Sequence, residues 1–587
     1  MNPDQHSLNG VREEAGLHLH WQGRRSYRSL VPAPRVLEPE PMLSYGEDQS
    51  NLVIEGDNLQ VMVSLQSQYN DSVDVVYIDP PYNRGGNDFR YSDTRYRDPD
   101  ADAADAVYIT NEDGGRHTKW LNYMAPRLVT TQRLMADHGV IFVSINDIEL
   151  GRLLMLMDEV FDESNRIGII AWKGSSDNNP SRIAIEHEYI VAYAKNLKKV
   201  AKHWTTPNDE VRDALLEQYN AIYAETSDFV ERKLRWSQLM KTNKEAVGRL
   251  GRYTDLDPER GPYQVAYRVH NPKPGGYRYG VCEEGVVDVN DPRSYGMPLN
   301  GYRFKPETMQ RLIDDGTIAF PKKRDQIVQM KDFLVDYKGT LRSVIELDAR
   351  KGAYRLKTLF GSDFDGFRYA KPVELIEMLI GAAGNKDSVV LDCFAGSGTT
   401  GEAVLQLNKR DGGKRKFILI EEGNGEDQYA RTLITPRLRK AIEQDDLPGG
   451  FSFLLSGKQL DRQAILGLER DKIAALICQT DRSGVRTGIT RITGKQWIIG
   501  SNSRGEALAL VWQGPTKSRV NVETINAAIT EARDLGLTGK LQIYGTTTTV
   551  SDTPAFTFKQ IPDEILINLH LDENEDEDES FAVVVNG

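Results

Sequence analysis

A chain of 587 residues exceeds the roughly 100–200 residues of one usual domain, so we expect several domains and at least one large buried core. Charged residues make up 27% of the chain, and no apolar run approaches the ~18 residues that a membrane-spanning helix needs, which predicts a soluble protein. The three cysteines, Cys282, Cys393 and Cys478, lie far apart without a paired spacing, which argues against a disulfide framework or a cysteine metal site; we expect no metal.

The first 45 residues are predicted to form an irregular extension, an arm packed on the main body. The start of the chain is polar and mixed in charge, without the basic and apolar regions of a secretory signal, which favours a cytoplasmic location. The proline-rich stretch at residues 32–41 discourages regular structure.

Residues 46–200 show an alternation of strands and helices. The segment NLVIEGDN predicts a strand, a helical stretch follows, and VDVVYID is an apolar run typical of a buried parallel strand. The segment WLNYMAPRLVTTQRLMADHG predicts a helix that Gly139 stops, and GVIFVSIND predicts the next strand. Such alternation is typical of an α/β fold with a doubly wound sheet.

The remaining chain divides into four parts. Residues 201–360 are rich in Tyr, Arg, Gly and Pro and are predicted to form an inserted domain. Residues 361–450 return to strand and helix alternation, so the sheet is assembled from two separated chain segments. Residues 451–570 predict a small α/β domain, and residues 571–587 form an acidic tail with seven acidic residues among positions 572–579.

The segment Asp79, Pro80, Pro81, Tyr82 and Asn83 directly follows the strand VDVVYI. Two consecutive prolines end the strand and leave the carbonyl of the first without backbone pairing. The carboxylate and this carbonyl can accept the two hydrogens of one amino group, and the tyrosine offers a flat face for a base. A rigid proline turn that only ends the strand would have the same sequence, so that interpretation stays open.

The second motif, VVLDCFAGSGTT, joins a buried strand to a helix through a glycine turn. Glycines at this position let a ligand approach the backbone beside a helix amino terminus. No lysine follows the glycines, which disfavours a phosphate-binding ATPase loop. The candidate ligand-binding residues here are Asp392, Gly396, Gly398 and Thr399, although a tight turn needed only for packing would have a similar sequence.

Two further carboxylates follow predicted strands. Glu421 ends the strand after the glycine turn, where a nucleotide-binding sheet offers a carboxylate to ribose hydroxyls. Asp57 follows NLVIE and can accept from the amino group of the ligand's adenine, although a helix cap is the simpler interpretation of Asp57 alone.

Together these motifs resemble the β-group DNA amino methyltransferases, and most closely the modification subunits of type III restriction-modification systems. The resemblance covers roughly residues 50–196 and 250–440, with DPPYN first, a recognition domain next and FAGSGTT last. It implies a Rossmann-like methyltransferase sheet that binds S-adenosylmethionine, with the target base at Asp79, Pro80 and Tyr82. It places the cofactor loop at Phe394, Gly396 and Gly398 and the cofactor ribose at Glu421. It also assigns YAKP at residues 369–372 to the cofactor site, where Lys371 meets the methionine carboxylate.

The sequence departs from the family pattern at two places. Residues 84–86, RGG, replace a more usual threonine and glycine, and Asn146 stands where an aspartate is common. The first change leaves the expected chemistry intact, and the second leaves the role of position 146 open.

The expected reaction is methylation of the amino nitrogen N6 of a flipped-out adenine in double-stranded DNA. The same pocket serves the N4 amino group of cytosine, and an aspartate before the two prolines favours adenine. Two further interpretations stay open: a non-catalytic DNA-binding subunit, and an enzyme that acts on RNA.

DNA recognition is expected from the inserted domain. Residues 228–278 contain eleven Lys and Arg against six Asp and Glu, although the whole chain has a net charge of −13. The resemblance further implies a homodimer and a separate helicase-nuclease subunit.

Overall fold

The structure, a computed structural model, describes residues 19–568 apart from 22, 26–30, 47–49, 87, 102, 176–181, 207–209, 368, 423–427, 460–461, 481–489 and 503–504. The expected acidic tail and much of the expected arm therefore lie outside the described residues. The chain divides into two compact units: a larger one that ends at residue 204 and resumes at residue 342, and a smaller one formed by residues 205–341.

The larger unit begins with strands that alternate with helices. Its first strands are β1 Arg35–Pro39, β2 Leu52–Glu55, β3 Val73–Ile78, β4 Arg90–Tyr91, β5 Val107–Tyr108, β6 Met135–Ile145, β7 Arg166–Lys173 and β8 His187–Ala194. Its first helices are α1 Asn58–Tyr69, α2 Asp93–Arg97, α3 Arg116–Leu134 and α4 Leu150–Phe161.

The smaller unit combines helices with short antiparallel strands. Its helices are α5 Glu210–Glu225, α6 Phe229–Thr242, α7 Lys244–Val247 and α8 Pro306–Asp314. Its strands are β9 Asp255–Asp257, β10 Gly261–Ala266, β11 Gly280–Cys282, β12 Gly285–Val287, β13 Ile318–Ala319 and β14 Gln329–Phe333. Four of them form a sheet in the order β13-β14-β10-β9, and β11 pairs with β12.

When the chain resumes in the larger unit, strands and helices alternate again. The elements up to residue 459 are β15 Val344–Glu346, α9 Arg350–Phe360, α10 Val373–Ala383, β16 Val389–Asp392, α11 Thr399–Asp411, β17 Lys416–Glu421, α12 Thr435–Asp445 and β18 Ser452–Gln459. The last elements are α13 Arg462–Leu466, α14 Arg470–Thr480, β19 Thr490–Arg491, β20 Ile498–Ser501, β21 Ala507–Leu510, β22 Arg519–Val520, α15 Val522–Asp534, β23 Leu541–Gly545, β24 Thr547–Thr548, β25 Phe556–Gln560 and α16 Asp563–Asn568.

Both chain segments of the larger unit build one ten-stranded sheet in the order β1-β18-β2-β17-β16-β3-β6-β8-β7-β15. The six strands from β18 to β6 run parallel, and β8 and β1 pair antiparallel with the strands at either end of this block. The expected α/β sheet from two chain segments is therefore present. Its interior strands are almost entirely buried, because the helices that connect parallel strands cover both faces of such a sheet.

A topological switch point lies between β3 and β16. From β3 the chain proceeds to β6 on one side, whereas from β16 it proceeds to β17 on the other. Their connections therefore leave in opposite directions and open a crevice at the carboxyl ends of these two strands, which is where open α/β sheets bind ligands. The segments DPPYN and FAGSGTT begin at these ends.

The predicted helix stop at Gly139 is wrong. Helix α3 ends at Leu134, and Gly139 lies inside β6. Strand β6 and strand β3 are out of regular register between Val73 and Val75, and a Cβ atom on Gly139 would lie 2.8 Å from the carbonyl oxygens of Val73 and Ala136. The glycine is needed for close approach of two backbones rather than for ending a helix.

The expectation that residues 32–41 lack regular structure is also wrong in part. Arg35–Pro39 forms β1, which pairs antiparallel with β18 at one edge of the sheet. Proline is tolerated there because an edge strand needs hydrogen bonds on one side only.

Some element boundaries differ from the expected domain boundaries. Strand β15 pairs with β7, helix α9 contacts α12, and both α9 and β15 belong to the larger unit, although we expected the insertion to extend to residue 360. Strand β18 belongs to the ten-stranded sheet, although we expected the carboxy-terminal domain to begin at residue 451. The strands after β18 form a separate five-stranded sheet in the order β19-β20-β21-β23-β25. None of the helices in the described part of the chain is both long and apolar enough to cross a lipid bilayer.

Replacing Gly139 with alanine should lower the free energy of unfolding by about 1–3 kcal/mol, because the added Cβ forces two backbones apart. Gly168→Ala, in β7 of the same sheet, is the matched control, since its Cβ meets nothing within 4 Å. Denaturant unfolding measures both variants, and equal stability of the two would contradict the close-approach explanation.

Candidate active site

The loop after β3 is held by buried hydrogen bonds. Asn83 has a φ of 59°, which asparagine tolerates, and its Nδ2 donates to Glu149 Oε1 at 2.5 Å. Trp120 Nε1 donates to the carbonyl of Pro81 at 2.7 Å. Within the described residues, no group donates to the carbonyl of Pro80. The loop is therefore fixed while the carbonyl expected to contact a ligand stays available.

Glu149 anchors this loop and was missed by the sequence interpretation. Its side chain is fully buried and also accepts from His117 Nδ1 at 2.5 Å and from Arg152 Nη1 at 3.4 Å. Buried carboxylates are stable only when paired and hydrogen-bonded in this way. The only sequence signal was its position two residues after the predicted strand segment GVIFVSIND.

Four polar side chains meet at the carboxyl end of β3. Lys371 Nζ lies 3.1 Å from Asp79 Oδ1, 2.9 Å from Glu188 Oε2 and 2.9 Å from the hydroxyl of Tyr82. The Tyr82 hydroxyl lies 2.8 Å from the same Asp79 oxygen and 3.0 Å from the same Glu188 oxygen. Lys371 therefore lies beside the predicted catalytic residues. Glu188, from β8, also belongs to this cluster, although the sequence analysis did not identify it as a site residue.

Burial and charge shift the pKa values of this cluster in opposite ways. Burial raises the pKa of Asp79, the ammonium of Lys371 opposes that rise, and the charge of Glu188 adds to it. Burial lowers the pKa of Lys371, but the two carboxylates outweigh burial and leave it raised. Burial and the neighbouring carboxylates hold the pKa of the Tyr82 phenol well above its usual range, so the phenol keeps its proton.

The rings of the site carry cations on their faces. The Tyr82 ring is 3% exposed, with the guanidinium of Arg84 5.2 Å and the Lys371 ammonium 5.1 Å from its centre. Lys371 also lies 5.3 Å from the centre of the Trp172 ring. A base that stacks on Tyr82 from the side of Arg84 has to displace that guanidinium.

The glycine turn after β16 is fixed by its two carboxylates. Asp392 accepts from the backbone N–H of Phe394 at 3.0 Å and from the hydroxyl of Thr400 at 2.5 Å, and burial raises its pKa to about 7. Glu421 Oε2 accepts from the backbone N–H of Gly396 at 2.7 Å. Gly396 has a φ of 51°, in the left-handed region that glycine adopts without strain.

Arg437 supports the glycine turn through hydrogen bonds, and the sequence analysis did not identify it either. Its fully buried guanidinium donates to the carbonyl of Ser397 at 3.1 Å, to the hydroxyl of Thr399 at 2.8 Å and to Glu402 at 2.8 Å. Thr399 also donates to the carbonyl of Lys371 at 3.3 Å. The glycine turn and the segment YAKP are thus joined through one threonine.

Asp57 has protein partners for both carboxylate oxygens. One oxygen accepts from the backbone N–H of Gln60 at 3.0 Å and so caps α1. The other accepts from Arg95 at 3.1 Å and from Arg127 at 3.0 Å. The helix-cap interpretation is confirmed, and a contact of Asp57 with a cofactor stays a prediction.

A cavity of about 1030 Å³ joins these groups within the larger unit. The predicted site residues that line it are Asp57, Asp79, Pro80, Pro81, Tyr82, Lys371, Phe394, Gly396 and Glu421. Asp392, Gly398 and Thr399 lie outside its walls and support the glycine turn, so their direct contact with a cofactor stays a prediction. The walls also include groups suited to a nucleoside: Phe367, Tyr429 and Glu422.

Comparison with known proteins supports the interpretation of these motifs as one functional unit. Residues 73–431 match the family model N6_N4_Mtase, described as DNA methylase. The chain is 35% identical to the EcoP15I Mod subunit of a type III restriction-modification enzyme of Escherichia coli, over 69% of this chain and 64% of the relative. It is 31% identical to the StyLTI Mod subunit of Salmonella typhimurium over 68% of this chain and 55% of the relative.

A third relative, the EcoPI Mod subunit of Escherichia phage P1, is 31% identical over 69% of this chain and 63% of its own length. The chain thus spans between 55% and 64% of the length of these three curated relatives. The family model covers the strand β3, the loop DPPYN, the inserted unit and the glycine turn in one continuous match. The chain belongs to the N6_N4_Mtase family of DNA methylases.

Proposed function

We propose that this protein transfers a methyl group from S-adenosylmethionine to the N6 amino group of adenine in duplex DNA. The observation that carries the proposal is a shared cavity. A fixed carboxylate, Asp79, and the carbonyl of Pro80, to which no described residue donates, face the same space as the glycine turn at Gly396.

The acceptor chemistry explains why this pair of oxygens is suited to the reaction. The amino nitrogen of adenine shares its lone pair with the ring and is a poor nucleophile. Two acceptors, the carboxylate of Asp79 and the carbonyl of Pro80, hold its two hydrogens and favour a more tetrahedral nitrogen with a localised lone pair. Holding the amine in this orientation contributes up to about 7–11 kcal/mol through proximity alone.

The walls of the cavity fit a cofactor of this kind. S-adenosylmethionine would supply a methyl group on a positively charged sulfur, which the nitrogen lone pair would take by direct displacement, with a neutral thioether as the leaving group and loss of one proton from the amino group. In the proposal Glu421 and the backbone at Gly396 bind the ribose side, and the rings of Phe394 and Phe367 enclose the adenine. Lys371 is 11% exposed and keeps its proton, so its positive charge attracts the carboxylate of the methionine part, while its three N–H donors face Asp79, Glu188 and Tyr82.

The smaller unit is proposed to read the DNA sequence. It carries equal numbers of basic and acidic residues between 205 and 341, twenty-one of each, whereas the whole chain has a net charge of −13. One segment exposes cations together with aromatic rings: Tyr267, Arg268, Lys273, Tyr277 and Arg278. Such surfaces contact phosphates and bases, and the target adenine must leave the helix to reach the cavity.

Further partners are proposed on the resemblance to type III systems. The three relatives are named as subunits of type III restriction-modification enzymes, which supports a second subunit that carries nuclease and helicase activity. A homodimer of this chain is proposed on the same resemblance.

Asp79→Ala should abolish methyl transfer, with a loss of at least about 1000-fold, because it removes one of the two acceptors of the amino group. The measurement is transfer of labelled methyl from S-adenosylmethionine to duplex DNA, followed by identification of the modified base. Asp71→Asn, at the opposite end of β3, is the control and should retain full activity. Full turnover by Asp79→Ala would overturn the proposal, and 4-methylcytosine as the product would change the substrate.

As the pH is lowered, methyl transfer should be lost at a higher pH than the ordinary pKa of an aspartate predicts. Asp79 must be ionised to accept a hydrogen, and burial raises its pKa above 3.8, so activity is present above that raised pKa and is lost as the pH falls through it. The dependence of kcat/KM on pH measures this acidic limb. A profile that stays flat down to about pH 4, near the ordinary pKa of an aspartate, would contradict the role of Asp79.

Replacing Lys273 and Arg278 together with alanine should weaken DNA binding and lower its salt dependence by about one unit of slope per lost phosphate contact. Lys517→Ala, an exposed lysine of the larger unit, is the control. Fluorescence anisotropy at several salt concentrations gives both quantities. Unchanged affinity and slope would exclude this surface from DNA binding.

A further inference from the structure

Among the described residues, the hydrogen bonds and ion pairs of Asp79 all involve one of its two carboxylate oxygens. Tyr82 and Lys371 both contact Oδ1, and no described residue donates to Oδ2. If the proposed function holds, Oδ2 and the carbonyl of Pro80 are therefore the two acceptors for the target amino group. The direction of Oδ2 depends on what holds Oδ1.

Glu188 holds Lys371, one of the two groups that contact Oδ1, and also lies beside the hydroxyl of Tyr82, which has a single hydrogen to donate. Its Oε2 lies 2.9 Å from the Lys371 ammonium and 3.0 Å from the Tyr82 hydroxyl. Glu188 belongs to β8 and pairs with Trp172 of β7, and the Trp172 ring faces the same ammonium. Two neighbouring strands therefore place one carboxylate and one ring against Lys371.

The hydrogen bonds of Lys371 are complete only with Glu188 present. An ammonium group has three N–H donors, and here they have three acceptors: Asp79 Oδ1, Glu188 Oε2 and the Tyr82 oxygen. Loss of the Glu188 carboxylate leaves one donor of a nearly buried cation without a partner, which is costly. Of the three acceptors, only Asp79 then still carries a negative charge.

We propose that Glu188 is a positioning residue for methyl transfer. It keeps Lys371 on Oδ1 of Asp79, so that Oδ2 and the Pro80 carbonyl remain free to accept the two hydrogens of the target amino group. Without Glu188, Lys371 bridges both oxygens of Asp79 and competes with the amino group.

The test compares Glu188→Ala and Glu188→Gln with the same changes at Glu186. Glu186 precedes β8, pairs with Lys173 and does not contact the cluster. Its variants therefore make the same chemical change outside the cluster. We expect Glu188→Ala to lower kcat by about 10- to 100-fold, which is the usual cost of a small misplacement at a reacting centre. Glu188→Gln should lose less, because its amide oxygen still accepts from Lys371.

The pH profile separates positioning from a merely structural effect. The negative charge of Glu188 raises the pKa of Asp79, so its removal in Glu188→Gln lowers that pKa and moves the acidic limb of kcat/KM to lower pH. Glu188→Gln should melt close to the native temperature, because its amide oxygen still accepts from Lys371, whereas Glu188→Ala should melt lower. The Glu186 variants should keep the native rate and profile.

The outcomes distinguish this inference from the proposed function. An active Asp79→Ala would overturn both. An inactive Asp79→Ala beside a Glu188→Gln with native kcat and an unmoved acidic limb would overturn only the role of Glu188. Equal losses in the Glu188 and Glu186 variants would overturn it as well.

Discussion

The pairing of β3 with β16 is the constraint on which the rest of the site depends. Val75 and Val76 of one strand lie beside Val390 and Leu391 of the other, in parallel. Because the chain leaves the two strands in opposite directions, their carboxyl ends border an open crevice instead of a crossing helix. The aspartate of one strand and the glycine turn of the other reach the same cavity for this reason.

The buried charged side chains around the cavity position its loops more than they stabilise the fold. Ion pairs taken out of water gain little net stability, but breaking one leaves an unpaired charge at high cost. Glu149 holds the loop of Asn83, and Arg437 holds the turn at Thr399. Each charge excludes other arrangements of its loop, so the walls of the cavity are fixed before a ligand arrives.

The motifs that the sequence revealed are local, and in the structure each lies just after its predicted strand. Asp79 to Tyr82 and the glycine turn each follow a buried strand within a few residues, so strand periodicity and turn residues were enough to place them. The residues that orient them come from distant segments. Glu188 lies in an apolar strand, and Arg437 lies in a polar helix without any motif, so neither carried a local signal.

The prediction of a helix stop at Gly139 and the prediction that residues 32–41 lack regular structure failed for a related reason. A glycine between a helical pattern and a strand is consistent with either a stop or a close backbone approach, and only the packing against β3 decides which. The prolines of residues 32–41 argue against an interior strand, but an edge position removes that objection.

The sequence by itself determined the class of fold, the two motifs, their order along the chain and therefore the family expectation, because periodicity, turn chemistry and spacing are properties of neighbouring residues. Only the tertiary structure decided that Lys371 lies on Asp79, that Asp57 is occupied by two arginines, and that Glu188 completes the cluster. These contacts join residues far apart in the chain, and the order of strands in the sheet brings them together.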